Sequence, residues 1–165
     1  MIKRVYKTIK KRIISKYNEK QLRIAQEFRL KQKENLENYS KMRQRHIDAI
    51  NEAGRNFDYN KTQLANELRD ILNTRAELRR KGLSNFSEEI QNSFAEENAI
   101  HEKQRNNRNE FFESQRAHKK AIFELHEACC GTGAFLHNQE LELLAQVERE
   151  LEQEKTEQSK NEENE

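Results

Sequence analysis

The residue types best suited to metal binding are concentrated in the second half of the chain. His126 and Cys130 are four residues apart, so they share one face of a helix, and His137 follows a Gly131-Thr132-Gly133 interruption. A zinc site needs thiolates and imidazoles that converge tetrahedrally. Two cysteines that are adjacent in the chain, as Cys129 and Cys130 are, rarely both point inward. Two adjacent cysteines cannot link distant segments, which is typical of a reducing compartment. We therefore expect no metal site and no disulfide framework.

The remaining reactive side chains do not form a catalytic pattern. His46, His101 and His118 lie in polar helical stretches, and no Ser or Cys partner sits at a turn near them. The Gly131-Thr132-Gly133 run lacks the preceding strand and the following lysine of a phosphate-binding loop, so it indicates a helix break. We predict a protein that is not an enzyme and carries no cofactor.

The composition favours long helices over a thick core. Of the 165 residues 33% are hydrophobic and 36% are charged, against about 45–50% and about 25% in ordinary globular domains. There is no proline or tryptophan, and there are only four glycines, which argues against β-sandwiches, β-barrels and α/β enzymes. No run of about 18 apolar residues exists, so we expect no transmembrane helix.

A seven-residue rhythm runs through the first half of the chain. One heptad position is large and apolar in seven of nine instances, whereas its companion position is mostly polar. Such a seam is typical of a weak coiled coil that needs a partner helix to cover it. The apolar row comprises Leu22, Arg29, Leu36, Arg43, Ile50, Phe57, Leu64, Ile71 and Leu78.

Stop and start signals for two helices lie within a few residues of each other. Arg79, Arg80 and Lys81 favour a helix C-terminus, and Gly82 can adopt the left-handed cap. Ser84 or Ser87 can then accept hydrogen bonds from the first free amides of a new helix. This spacing predicts a helical hairpin.

We therefore predict an all-α fold, a long antiparallel two-helix coiled-coil hairpin with a disordered acidic C-terminal tail. The first arm covers about residues 2–81, the turn 82–87 and the second arm about 88–155, with a break at 131–133. Residues 156–165 contain no apolar side chain, which predicts disorder.

The net charge of +2 conceals a strong polarity along the chain. Residues 1–33 hold twelve Lys and Arg against two Glu, and residues 134–165 hold ten Glu against three Lys and Arg. Folding about Ser84 places the basic end beside the acidic one, and opposite charges along a seam fix helix orientation.

The basic end is open to other interpretations. Its cations and Tyr residues could contact nucleic acid, or residues 1–17 could lie on an anionic membrane, because Ile2, Val5, Ile9 and Ile13 form an apolar stripe. The first eighteen residues also resemble a mitochondrial presequence. An alternative function for the whole chain is that of a structural coiled-coil subunit of a eukaryotic or organellar assembly. We favour a stripe that continues the coil, and expect no nucleic-acid partner.

Three segments together resemble a known family. The opening Met-Ile-Lys-Arg-Val at 1–5, the QRAHKKAIFEL segment at 115–125 and the Glu/Gln-rich stretch at 140–158 are similar to the stalk proteins of type III secretion systems. These are the YscO-type injectisome stalk and its flagellar counterpart FliJ. The glycines at 131 and 133 depart from the family pattern.

The resemblance implies a non-enzymatic central stalk that couples a hexameric export ATPase to the export gate and handles secretion chaperones. It implies a cytoplasmic location, peripheral at the inner membrane. Charge steering favours the basic helix as the docking surface, and an exposed Leu–Phe pair at the turn is the alternative. The candidate contact residues are Arg4, Lys10, Lys11, Arg12, Arg23 and Arg29 in the basic helix and Lys81, Leu83 and Phe86 at the turn.

Overall fold

Two long helices make up the protein. The structure, a computed structural model, describes the backbone of residues 2–163 and the side chains of residues 7–161. Helix α1 spans Ile2–Arg80 and helix α2 spans Glu88–Glu163, with no strand in this described range. The two helices pack against each other, which confirms the predicted all-α hairpin.

The chain divides into two compact units, each of which pairs part of α1 with part of α2. Unit 1 contains Met1–Lys41 and Leu125–Glu165, and unit 2 contains Met42–Glu124. In unit 1, Lys20 bonds to Glu150. In unit 2, Arg75 bonds to Ser93. Both pairings lie close to the antiparallel register predicted from a turn at Ser84.

Glycine ends α1 as its sequence predicts. Gly82 has a φ of +88°, in the left-handed region that favours glycine. The Leu83 amide donates to the Leu78 carbonyl at 3.2 Å, and the Gly82 amide donates to the Arg79 carbonyl at 3.0 Å. These two bonds form a Schellman motif, which satisfies carbonyls that the helix end leaves free.

The start of α2 relies on serines, although not in the expected way. The Ser84 hydroxyl accepts a hydrogen bond from the Phe86 amide at 3.3 Å, while the Ser87 hydroxyl donates to the Ser84 carbonyl at 2.8 Å. The Ser87 carbonyl accepts the first bond of the helix from the Gln91 amide. The turn is therefore held by its own hydrogen bonds.

Two glycine substitutions are expected to have opposite effects on stability. Gly82→Ala should lower the free energy of unfolding by about 1–2 kcal/mol, because a Cβ is strained at positive φ even though the space around it is open. Gly131→Ala should raise it by about 0.5–1 kcal/mol, because Gly131 is helical and a Cβ there meets nothing within 4 Å. Urea unfolding followed by circular dichroism measures both, and equal signs would contradict the assignment of these two backbone states.

The predicted break at residues 131–133 is wrong, since α2 runs through it without interruption. Each helical glycine costs about 1 kcal/mol relative to alanine, but α1 supplies compensating contacts. Gln32 Nε2 donates to the Gly133 carbonyl at 2.8 Å and Asn35 Nδ2 donates to the Cys129 carbonyl at 3.0 Å. A Cβ at Gly133 would make an ordinary van der Waals contact with Gln32 Oε1, at 3.4 Å.

The structure also differs from the predicted disordered tail, because α2 remains helical through Glu163. Glu, Gln and Lys are good helix formers, and helix formation does not require apolar side chains. Local bonds support the segment: the Thr156 hydroxyl donates to the Glu152 carbonyl at 2.8 Å, and the Ser159 hydroxyl donates to the Lys155 carbonyl at 3.0 Å. Residues 164 and 165 of the predicted tail lie outside the described range.

The predicted heptad row lines the seam in unit 2 from Ile50 onward, whereas Arg43 is exposed. Leu64 is buried, and Ile50, Phe57, Ile71 and Leu78 are partly buried. The seven-residue spacing therefore identifies the inward face of α1 in this unit.

In unit 1 the same row is on the outside. Leu22 and Leu36 are 59% and 60% exposed, whereas Tyr17 and Phe28 are 6% and 3% exposed and Tyr39 is partly buried. These three aromatic residues are spaced by eleven, or 3.67 residues per turn, which is closer to the natural helix than a heptad. A strict seven-residue row drifts around an α-helix, so the row that lines the seam of unit 2 does not continue into unit 1.

Helix α2 has the same eleven-residue spacing in unit 1. Val147 is 2% exposed, and Leu125, Leu136 and Gln158 are partly buried. The inward residues of both helices in unit 1 therefore repeat every three turns.

Candidate interaction surfaces

The basic helix presents unpaired cations. Lys10, Lys11, Arg12, Arg23 and Arg29 are all exposed, and none forms an ion pair with another described residue. This basic surface, defined by those five residues, is therefore available to a partner. The side chain of the sixth candidate, Arg4, lies outside the described residues.

The acidic half of α2 neutralises little of this charge. Within the described side chains of unit 1, Lys20 and Glu150 form the one ion pair that joins the two helices, with Nζ to Oε2 at 2.6 Å. Both side chains are exposed by a third or more, and such pairs contribute about 0–1 kcal/mol. Tyr17 lies in the same region, where burial and then a hydrogen bond to Glu154 raise the pKa of its phenol.

The turn presents a second candidate surface. Phe86 is 92% exposed, Lys81 is exposed and Leu83 is partly buried. Phe86 therefore does not pack the turn, whereas Leu83 follows the glycine cap at the position that commonly contacts the preceding helical turn. The turn surface, Lys81 and Phe86, combines an apolar ring with a cation on a hydrogen-bonded backbone.

A buried polar network crosses the seam of unit 2, and sequence reasoning did not identify it as a site. Arg75 is 6% exposed; its Nε donates to the Ser93 hydroxyl at 2.8 Å and its Nη2 donates to the Ser93 carbonyl at 3.0 Å. The same Nη2 contacts Glu97 Oε2 at 2.5 Å, and the guanidinium lies 3.9 Å from the centre of the Phe94 ring. Arg75 occupies the mostly polar companion position of the heptad row, four residues after Ile71, and that position was the available signal.

Arg75 also changes the acidity of its partner. Its hydrogen bond lowers the pKa of the Glu97 carboxyl, and the lowering outweighs an opposing effect of burial. A carboxyl whose folded pKa is lowered contributes stability above its unfolded pKa and loses that contribution as the pH falls through the folded value. The network therefore weakens in acid.

Two histidines that the sequence leaves on polar faces meet across unit 2. His46 Nδ1 and His118 Nδ1 are 2.9 Å apart, and both side chains are partly buried. One ring donates and the other accepts, with the assignment set by their tautomers. The antiparallel register places His46 and His118 within about one helical turn of each other. Their contact is therefore visible only in the packed structure.

The cysteine and histidine residues do not converge. Cys130 Sγ lies 3.7 Å from His126 Nε2 on the same helix, and the His126 ring packs 5.9 Å from the Tyr39 ring. Cys129 is partly buried and Cys130 is exposed, and both are free thiols. Among the described residues there is no group of three or more His, Cys, Asp or Glu able to hold a metal ion.

A recess of about 520 Å³ opens where the apolar seam of unit 2 is interrupted. Between the stacked Phe57 and Phe111 rings, 4.6 Å apart, and the buried Leu64, the helices meet through Asn60 and Asn107 instead of apolar side chains. The polar stretch of α2 from Glu102 to Asn109 is visible in the sequence, but the recess is not. Its lining, here named the cationic recess, is Phe57, Lys61, Gln104, Asn107, Arg108 and Phe112.

Comparisons with protein-family models, with curated proteins and with solved structures give no match for this chain. Across the part that the structure describes, neither helix contains a stretch apolar enough to cross a membrane.

Proposed function

We propose that this chain is a non-enzymatic central-stalk component of a type III protein secretion apparatus. It couples a hexameric export ATPase to the export gate and handles secretion chaperones, on the cytoplasmic side of the inner membrane. The observation that carries the proposal is the antiparallel packing of helices of 79 and 76 residues. This architecture agrees with the hairpin that the family resemblance implies.

The mechanism depends on asymmetry and charge. A hairpin has unequal faces, so a symmetric ring that surrounds it contacts different side chains at each subunit. Nucleotide hydrolysis then changes which face is bound most tightly, because a ligand shifts an equilibrium by its differential affinity for the two states. The basic surface supports docking onto an acidic partner, because its cations are exposed and unpaired among the described residues.

The test is stimulation of the cognate export ATPase by the purified chain at low salt. We expect wild type to bind and stimulate, and the triple change of Lys10, Lys11 and Arg12 to Glu to weaken binding about tenfold or more, because interface charge steers docking. A wild-type chain that neither binds nor stimulates contradicts the proposed function.

A matched charge control separates local contact from net charge. Changing Arg55, Arg69 and Lys103 to Glu alters the total charge equally but at exposed positions in unit 2. These changes should leave stimulation within about twofold of wild type, since the ring contacts the basic surface in unit 1. Equal losses from both triple variants would show non-specific attraction and would contradict specific docking.

The turn surface is tested by Lys81→Glu and Phe86→Ser, and the adjacent, partly buried Leu83 is tested by Leu83→Asp. If these changes abolish stimulation and the basic triple change does not, the chain docks through its turn, which retains the stalk function and reverses its orientation. Phe86→Ser should not affect folding, because the ring is almost wholly exposed. Far-UV circular dichroism provides that check.

A further inference from the structure

The imidazoles of His46 and His118 bring two nitrogen ligands together inside unit 2. His46 belongs to α1 and His118 to α2, and both lie in that one unit. Their Nδ1 atoms are 2.9 Å apart, whereas the ring centroids are 5.2 Å apart and the rings are tilted by 54°. Both side chains are partly buried, so the packing of the two helices limits how far the rings can separate.

The spacing of the two nitrogens matches one edge of a tetragonal metal site. An imidazole nitrogen binds a divalent ion such as zinc at about 2.0–2.1 Å. Two such bonds at a right angle place the nitrogens about 2.9 Å apart, whereas tetrahedral bonds of the same length place them about 3.3–3.4 Å apart. The separation of the His46 and His118 Nδ1 atoms therefore fits the right angle. Square-planar and tetragonal geometry is typical of divalent copper and nickel.

The two rings have no other polar commitment. Among the described residues their mutual contact is the one hydrogen bond of either ring, and neither ring pairs with a carboxylate. An ion that binds both Nδ1 atoms replaces that single bond. The ring that donates in the pair then carries its proton on Nε2 instead, so the protein gains and loses no proton while the ion releases two waters.

The surroundings of the pair limit the affinity. Arg45 and Lys119 directly adjoin the two histidines in sequence and are exposed, so each opposes a divalent cation through a screened repulsion. Two protein ligands are also fewer than the three or four of a resident zinc site. The site consequently favours ions that bind imidazole strongly, and nickel and copper precede manganese, iron and cobalt in that order of affinity.

We propose that His46 and His118 form a reversible binding site for one divalent nickel or copper ion, with water in the remaining positions. The ion bridges α1 and α2 within unit 2. Because the unfolded chain does not hold the two imidazoles together, binding stabilises the folded hairpin. The inference does not depend on the proposed function, since it concerns one contact between the two helices.

Titration of the full chain with nickel(II) near neutral pH tests the proposal. Nickel is the probe because thiols reduce divalent copper, and the chain has two free cysteines. We expect one ion per chain by calorimetry and a thermal unfolding midpoint that rises with nickel concentration. A chain that binds no nickel, or whose midpoint does not rise, overturns the proposal.

His46→Asn and His118→Asn should each weaken nickel binding about tenfold or more, because each removes one of two ligands. The asparagine amide can donate or accept a hydrogen bond in place of the ring nitrogen, so the helical content should not change. Far-UV circular dichroism without nickel checks this. Paramagnetic broadening of the amide signals should be strongest near residues 46 and 118, and broadening centred elsewhere overturns the assignment.

His101→Asn is the matched control, since His101 also lies in unit 2 but is exposed and contacts only its own helix. It should leave the dissociation constant for nickel within about twofold. A loss equal to that of His46→Asn shows non-specific binding to histidine and overturns the site.

The thiols provide a second control. Cys130 Sγ lies 3.7 Å from His126 Nε2, which is a competing pair of ligands. The double change of Cys129 and Cys130 to Ser should leave nickel binding within about twofold of wild type, and its loss places the ion at the thiols and overturns the proposal. Zinc should bind more weakly than nickel, because its tetrahedral geometry needs a wider separation of the two nitrogens. Equal or tighter zinc binding contradicts the right-angle geometry.

Discussion

Replacing Arg75 by Ala should lower the free energy of unfolding by about 2–3 kcal/mol. Arg75 is 6% exposed and donates two hydrogen bonds to the buried Ser93, so the variant removes both bonds and leaves the Glu97 carboxylate without its cation. It also removes the guanidinium from the Phe94 ring, a contact at 3.9 Å that gains strength when it is desolvated. Urea unfolding monitored by circular dichroism measures the change.

The reference variant for this prediction is Lys120→Ala. Lys120 forms an ion pair with Glu124 within one helix of the same unit, but both side chains are largely exposed, so its removal should cost about 0.5 kcal/mol or less. Hydrogen exchange should place the loss of protection caused by Arg75→Ala in unit 2. Equal destabilisation by the two variants would show that burial does not determine the value of these contacts.

The Arg75 network has a pH signature as well. Because Arg75 lowers the pKa of Glu97, the stability of wild-type unit 2 should fall as the pH drops below the ordinary glutamate range. Arg75→Ala should make this acid loss smaller, since the arginine is the first cause of the lowered pKa. An unchanged pH profile would contradict the assignment of Arg75 as that cause.

Ile90→Ala should have the largest effect of any single truncation, a loss of about 3–4 kcal/mol in the free energy of unfolding. Ile90 is 0% exposed and is the one fully buried large side chain of the described residues. Removing three carbon atoms from a fully packed position loses transfer free energy and leaves a cavity. Thermal and urea unfolding measure the loss, and hydrogen-exchange protection in unit 2 locates it.

Phe86→Ala is the control for Ile90→Ala. Phe86 is the larger side chain and lies four residues earlier, but it is 92% exposed. Its truncation should change the stability by about 0.5 kcal/mol or less, because almost no apolar surface is returned to water. A loss at Phe86 as large as that at Ile90 would show that the turn is packed in solution against something that covers the ring.

The hairpin was predictable because its signals are local. Lys81 and Gly82 end α1, and the Ser84 hydroxyl accepts a hydrogen bond in the turn before α2. This capping chemistry depends on only a few neighbouring residues. The row of Ile50, Phe57 and Leu64 was predictable for a similar reason, since seven-residue spacing places side chains on one face of one helix.

The predictions failed where contacts with the other helix outweighed a local signal in the sequence. Two glycines in one turn indicate a break in an isolated helix, but Gln32 and Asn35 bond to the backbone at Gly133 and Cys129 and stabilise the continuous α2. The heptad interpretation failed in unit 1 because the inward aromatic residues there repeat every eleven positions. That spacing is present in the sequence, but burial in the structure distinguishes it from the competing heptad.

The sequence by itself determined the helical content, the position of the turn, the antiparallel register and the separation of charge along the chain, because these follow from periodicity and capping. Only the tertiary structure decided which polar side chains meet across the seam. Arg75 with Ser93, His46 with His118, and the recess beside Asn107 all depend on the rotation of each helix about its axis. A rotation of one residue step, about 100°, moves a side chain from the seam to solvent, and packing of both helices together sets that angle.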